Sequence, residues 1–268
     1  TVPGFVFRLE DYARYVERVG RATYIDVTRR TDPARIEKVW ANLHAVVDAY
    51  GPPWVLQLWT KAVQGALALG GEMLQQLAQR GTTITAQVTV TGLAGTIWEP
   101  NVTPEPFEGL SSLIAIAGGA NHIKWRYDPI IPTVHDIERY RRLAEIAARF
   151  GLRRCVINFI APPGRYKRVD ARLQAVLPGW AEGMPGYDEV WRREIAEEIV
   201  WVAREFGLQV ACCAESADLF GRVEGLCPAA CGDYDWFVEL SGRDPGRVAS
   251  TGSRPGCGCA AYFDVGLY

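Results

Sequence analysis

The sequence predicts a parallel α/β barrel, partial and built from about six strand-helix units, with a cysteine-bearing extension at the C-terminal end. Three observations lead there: short β-rich runs alternate with longer helical ones, glycines stand just past the helical runs, and the strand ends carry polar residues. Successive strand-helix units imply parallel pairing with right-handed crossovers, because each strand must return past a helix to lie beside its predecessor. An open doubly wound sheet is the competing architecture. Polar residues recurring at one end of the strands favour a barrel rim.

In order, a segment over 1–23 precedes a βα core over 24–216, and a cysteine-bearing extension covers 217–268 of one single domain. A strand at 24–27 leads into a helix at 33–49, where Asp32 or Thr31 caps and Pro33 takes the first position. A strand at 54–59 is followed by a helix at 63–80, and a strand at 84–90 by a helix at 104–117. Next come a strand at 123–127 and a helix at 134–150, whose Ile137, Tyr140, Leu143, Ala144, Ala147 and Phe150 recur at spacings of three and four. A strand at 155–160, a helix at 187–206 and a strand at 208–213 complete the pattern. Gly51, Gly81, Gly151 and Gly207 stand where left-handed helix ends are wanted. The stretches 161–186 and 241–258 read as long ordered loops over the rim.

At 268 residues and 49% hydrophobic side chains, the chain has apolar material for one large domain. Its formal net charge of -2 gives no positive field for nucleic acid or an anionic membrane. No apolar run is long enough to span a bilayer and no secretion signal stands at Thr1, so a soluble cytoplasmic protein is expected. In a reducing compartment, seven cysteines point to thiolate ligands or catalysis rather than disulfides.

Five of those cysteines, Cys213, Cys227, Cys231, Cys257 and Cys259, crowd into 47 positions near the end of the sequence. Cys213, Cys227, Cys257 and Cys259 make a four-sulfur set suited to an iron-sulfur cluster or to tetrahedral zinc, with Cys231 as a spare that could replace Cys227. Their C-x13-C-x29-C-x-C spacing matches no zinc ribbon, so the metal stays open between a 4Fe-4S cluster, which is favoured, and zinc. Cys155 and Cys212 read as ordinary buried thiols.

Rim candidates follow from the strand ends. Arg29, Arg30 and Asp32 stand after the first strand, where guanidinium forks and helix amides can bind an anion. Alternation in the fourth strand sets Lys124, Arg126 and Asp128 on one face, looking with Lys61 into the same mouth. The structural counterpart is a buried Arg126-Asp128 ion pair that only braces the fold. Asn158 adds a donor suited to a carboxylate or phosphate, and Glu215 is a candidate acid or base. Lys61, Arg126, Asp128 and Glu215 form the catalytic set; Arg29, Arg30, Asp32 and Asn158 the cofactor-binding set. His44, His122 and His135 are scattered without metal spacing, and no phosphate-loop, dinucleotide or nucleophile-elbow motif occurs.

The segments Thr28-Arg29-Arg30-Thr31-Asp32, Trp59-Thr60-Lys61, Trp125-Arg126-Tyr127-Asp128-Pro129-Ile130, Cys213-Ala214-Glu215, Cys257-Gly258-Cys259 and Phe263-Asp264-Val265-Gly266 with Tyr268 resemble the family known as domain of unknown function 1848. The resemblance implies a barrel related to radical S-adenosylmethionine enzymes, with its cysteine cluster displaced to the C-terminus. It also implies a C-x3-C-x2-C-like segment after the tyrosine matching Tyr268, which this sequence does not contain, so a cluster for S-adenosylmethionine cleavage is assigned to no residue. The expected function is an iron-sulfur enzyme of radical S-adenosylmethionine type acting on a small polar or anionic substrate, with an electron donor protein as partner. The alternative is a barrel with a structural four-cysteine zinc or iron-sulfur site that binds a small anion or nucleotide. A third possibility is a hydrolase or isomerase using Asp128 and Glu215 as acid and base.

Overall fold

The computed structural model describes residues 7–29, 31–102, 105–161, 163–164, 167–177, 179–180, 188–213, 215, 217–251 and 258–266. Eight strands form one sheet: β1 (Tyr24–Val27), β2 (Val55–Thr60), β3 (Thr83–Thr89), β4 (Ile123–Ile130), β5 (Arg154–Phe159), β6 (Gln209–Cys213), β7 (Leu226–Ala229) and β8 (Phe263–Asp264). Their spatial order is β7-β6-β5-β4-β3-β2-β1-β8, and every neighbouring pair is parallel. Helices α1 (Leu9–Val19), α2 (Glu37–Tyr50), α3 (Val63–Gln79), α4 (Leu110–Ala117), α5 (Ile137–Arg149), α6 (Lys167–Val176), α7 (Glu189–Glu205), α8 (Ala217–Arg222) and α9 (Tyr234–Ser241) complete the element order.

One expectation needs correction. The sheet has eight strands rather than about six, and both additional strands come from 217–268, which is woven into the sheet instead of only lying across its rim. The coarser expectation, a parallel α/β fold with flanking helices, holds; among the described residues no ladder joins the edge strands β7 and β8. Pro228 inside β7 and the two-residue length of β8 explain why neither strand was legible: such pieces are too short for a period of two to emerge. Within 161–186, read as a loop, lies α6.

The six strands expected from the sequence are present within a few residues of their bounds, and the four helix-ending glycines have φ between 66 and 88°. Asp32 caps the turn that begins at Pro33, its carboxylate accepting from the Ala34 amide at 3.1 Å. No helix among the described residues is long and apolar enough to cross a membrane.

Register and alternation divide the sheet into two faces. Ile25, Leu56, Leu58, Ile84, Ala86, Trp125, Ile157 and Val210 are fully or almost fully buried against the helices; there Trp125 stacks on Tyr140 of α5 with centroids 5.2 Å apart. Cys155 and Cys212 share this apolar face and are fully buried, as their sequence neighbours imply. The other face carries Asp26, Gln57, Gln87, Lys124, Arg126, Asn158 and Cys213. Helix α9 lies over this polar face: Phe237 packs on Tyr24 at 4.7 Å, and Lys124 pairs with Asp233 at 2.7 Å while lying over Trp236. Buried charges need partners, and α9 brings them.

Candidate functional site

At the C-terminal end of the polar face, side chains from five adjacent strands form one connected chain of hydrogen bonds. Asn158 on β5 donates to Asp128 Oδ1 at 3.2 Å, and Asp128 Oδ2 receives Arg126 Nη2 at 2.5 Å. Arg126 Nη1 donates to Gln87 Oε1 at 2.7 Å, and Gln87 Nε2 to Gln57 Oε1 at 3.1 Å. Gln57 reaches Asp26 Oδ1 at 3.2 Å, and the other oxygen of Asp26 pairs with Arg29 Nε. Tyr24 and Trp59 also donate to Asp26. The indole of Trp59 has the Arg29 and Arg126 guanidiniums each at 5.1 Å, and Arg29 lies 3.8 Å over Tyr262. Burial lifts the Asp26 carboxyl to about 6, against the opposing pull of Arg29.

Sulfur gathers beside this chain. Cys213 at the end of β6 and Cys231 just past β7 have their sulfurs 3.3 Å apart, and Cys231 also shares a hydrogen bond with Cys259. Cys259 Sγ accepts the Gly232 amide at 3.5 Å. The Cys231 carbonyl is held by Gln57 Nε2 at 2.9 Å and Gln87 Nε2 at 2.8 Å, which ties this residue to the polar chain. Hydrogen bonds from Cys213 and Cys259, with the charges of Arg126 and Arg29, pull the Cys231 thiol well below its usual range in spite of burial. Cys213 moves the opposite way, first through its bond to Cys231 and then through burial. Cys231 is thus the thiol of the group on which the charges of Arg126 and Arg29 act.

Among the expected ligands, then, the structure brings together Cys213 and Cys259, with Cys231 as their common neighbour. Cys227 is not with them. It lies in register with Ala211, whereas Cys213 is in register with Ala229; two residues along a strand is ~6.6 Å. The Cys227 sulfur instead accepts from Gln209 at 3.6 Å and lines a cavity of about 290 Å³ with Lys124, Asp233 and Trp236. Cys231, named as the spare, stands where Cys227 was expected. Cys257 and Arg30 lie outside the described residues. Among the described residues no group of three or more His, Cys, Asp or Glu side chains has the geometry of a metal site.

The other candidates separate. Arg29, Arg126, Asp128 and Asn158 are joined by the chain above. Asp32 is turned to structure: it accepts Thr60 Oγ1 and the Lys61 amide, each at 2.7 Å, as well as its cap bond. The Lys61 ammonium pairs with Glu99, which also accepts Thr91 Oγ1 at 2.6 Å, and lines a separate cavity of about 280 Å³ with Val88, Val90 and Phe107. Glu215 pairs with Arg192 at 2.9 Å and lines a third cavity, of about 90 Å³, beside Arg193 and Arg222. The four residues of the expected catalytic set are thus spread over three places.

Sequence reasoning passed over Asp26, Gln57 and Gln87, each fully buried. A signal existed: Asp26 and Gln57 stand among apolar neighbours in Tyr24-Ile25-Asp26-Val27 and Val55-Leu56-Gln57-Leu58, and Gln87 continues the alternating polar positions Thr83, Thr85 and Gln87 of its strand. Polar side chains there require partners, and partners imply a polar interior.

The fold and the site define a parallel α/β protein whose polar face carries a buried guanidinium-carboxylate chain under a cluster of thiols. The sequence profile described as domain of unknown function 1848 matches residues 21–268, and the chain belongs to that family. No curated protein matches it. Twenty chains of solved structures do match. One comes from work on inhibition of the pneumococcal virulence factor StrH and on N-glycan recognition and hydrolysis: it is 10% identical, with a TM-score of 0.32 over 94% of this chain and 78% of that one. A likeness that slight carries no conclusion about function.

Proposed function

We propose that the chain is a metal-thiolate protein. Cys213, Cys231 and Cys259 would hold the metal, with Cys257 as the fourth ligand from its place two residues before Cys259. The supporting observation is the meeting of three thiols from distant parts of the chain against two buried guanidiniums, an environment that stabilises thiolate. The donor set is soft sulfur, which suits zinc or iron. For a single tetrahedral ion with metal-sulfur bonds of about 2.3 Å, ligand sulfurs lie ~3.8 Å apart, so the 3.3 Å pair can open onto one ion with little movement. Four thiolates on four separate irons stand farther apart. The spacing therefore favours one ion, while the iron-sulfur form and S-adenosylmethionine chemistry rest on the resemblance.

When bound, zinc would brace the fold or act as a Lewis acid, and an iron centre would add electron transfer. The chain's own contribution is positioning: Asp128, itself held by Asn158, orients Arg126, Asp26 orients Arg29, and both guanidiniums rest on Trp59. A small polar or anionic molecule would dock against that pair.

Metal and sulfide analysis of anaerobically purified full-length chain is the test. One zinc or iron without sulfide supports the single-ion site; brown protein with iron and sulfide in equal amounts would move it to a cluster. Cys231→Ser should lose the metal and Cys227→Ser should keep it. Metal-free wild type from every preparation, or the reverse result in the variants, would end the proposal.

A further inference from the structure

The sulfurs of Cys213 and Cys231 are 3.3 Å apart, closer than ordinary van der Waals contact, and separated by 18 positions in sequence. A disulfide needs them to close by roughly 1.3 Å. Cys259 is differently placed: the Gly232 amide donates to its sulfur at 3.5 Å, and the Ala260 amide donates to the Gly232 carbonyl at 2.9 Å, so backbone contacts hold it. Of the pair, Cys231 is partly exposed and Cys213 buried.

We propose that Cys213 and Cys231 form a reversible disulfide when hydrogen peroxide reaches the site, and that this bond and metal binding exclude each other. The first half stands on the sulfur geometry alone; the second rests on the metal-thiolate reading. One sulfur of the pair takes one oxygen of the peroxide as a sulfenic acid and releases water. The other sulfur then attacks it, the hydroxyl leaves with the thiol proton as a second water, and the S–S bond is made. Two thiols are oxidised by two electrons and one peroxide is reduced to two waters. The bond ties the end of β6 to the segment entering α9 and withdraws two thiols from the metal at once. Because Cys231 is also anchored through its carbonyl to Gln57 and Gln87, oxidation acts on a part of the chain already in register.

The test is peroxide treatment of the full chain, as purified and after chelation, followed by peptide mass spectrometry without reduction. The chelated protein should lose two thiols, yield a Cys213–Cys231 linked peptide, and recover both thiols with a phosphine reductant. Linkage of Cys231 to Cys259, or sulfonic acid without a crosslink, would overturn the pairing. Protein loaded with metal should resist crosslinking; equal rates with and without metal would overturn the exclusion. Cys227→Ser should crosslink as wild type does, and loss of the crosslink in that variant would also count against the pair. Should the purified chain hold no metal and still crosslink, the metal reading fails and the disulfide stands.

Discussion

Gln87 on β3 donates its side-chain amide to the Cys231 carbonyl at 2.8 Å, across 144 positions of sequence. The same side chain accepts from Arg126 at 2.7 Å, so one buried amide joins the thiol segment to the guanidinium chain. Gln87→Leu keeps the shape and removes these two bonds together with the one Gln87 donates to Gln57. We expect it to cost about 2 kcal/mol of stability, since a buried group left without its partner loses solvation it cannot recover. Denaturant titration reads this directly, and an unchanged midpoint would show that the amide is not a structural link.

Asp26 predicts a pH effect of definite sign. Its folded carboxyl titrates near 6, raised by burial, while an unfolded aspartate titrates at about 3.9. Between those values the folded chain holds a proton that the unfolded chain has lost, so the contribution of Asp26 is fully present below about pH 4 and lost as pH rises through about 6. Stability of wild type minus that of Asp26→Asn should therefore fall across this window. Parallel stability curves for the two proteins from pH 4 to 7 would contradict it.

Lys124 is almost fully buried and paired with Asp233, and burial lowers its ammonium below the usual lysine range although Asp233 opposes this. Lys124→Met leaves the carboxylate over an apolar surface and should cost about 3 kcal/mol. Adding Asp233→Asn, which keeps a capping oxygen for α9, should return part of that loss. A double variant no more stable than the single one would show that the pair is not what fixes α9.

Gly266 follows β8, and a methyl built there would come within 2.1 Å of the Thr28 side chain. Gly266→Ala should destabilise by about 1–3 kcal/mol through overpacking, because Thr28 is fully buried and has nowhere to go. Thr28→Gly in the same chain should relieve the crowding. Full stability of Gly266→Ala alone, measured by thermal unfolding, would mean that the β8 end does not seat against β1 as described.

Much of this protein could be read before any coordinates. The alternation in β4 placed Lys124, Arg126 and Asp128 on one face, the apolar repeat from Ile137 to Phe150 marked α5, and the glycines marked helix ends, because each depends on local geometry of period two or 3.6. Which thiols meet did not depend on local geometry. Cys227 falls inside β7 and Cys231 just beyond it, and the parallel register of β7 on β6 carries Cys231, not Cys227, to Cys213. Likewise Asp26, Gln57 and Gln87 are buried polar residues in three separate strands, and become one chain with Arg29 and Arg126 only when those strands are laid side by side. Secondary structure and facing are written in nearest neighbours along the polymer; a site assembled across strands is set by long-range pairing, which only the folded sheet decides.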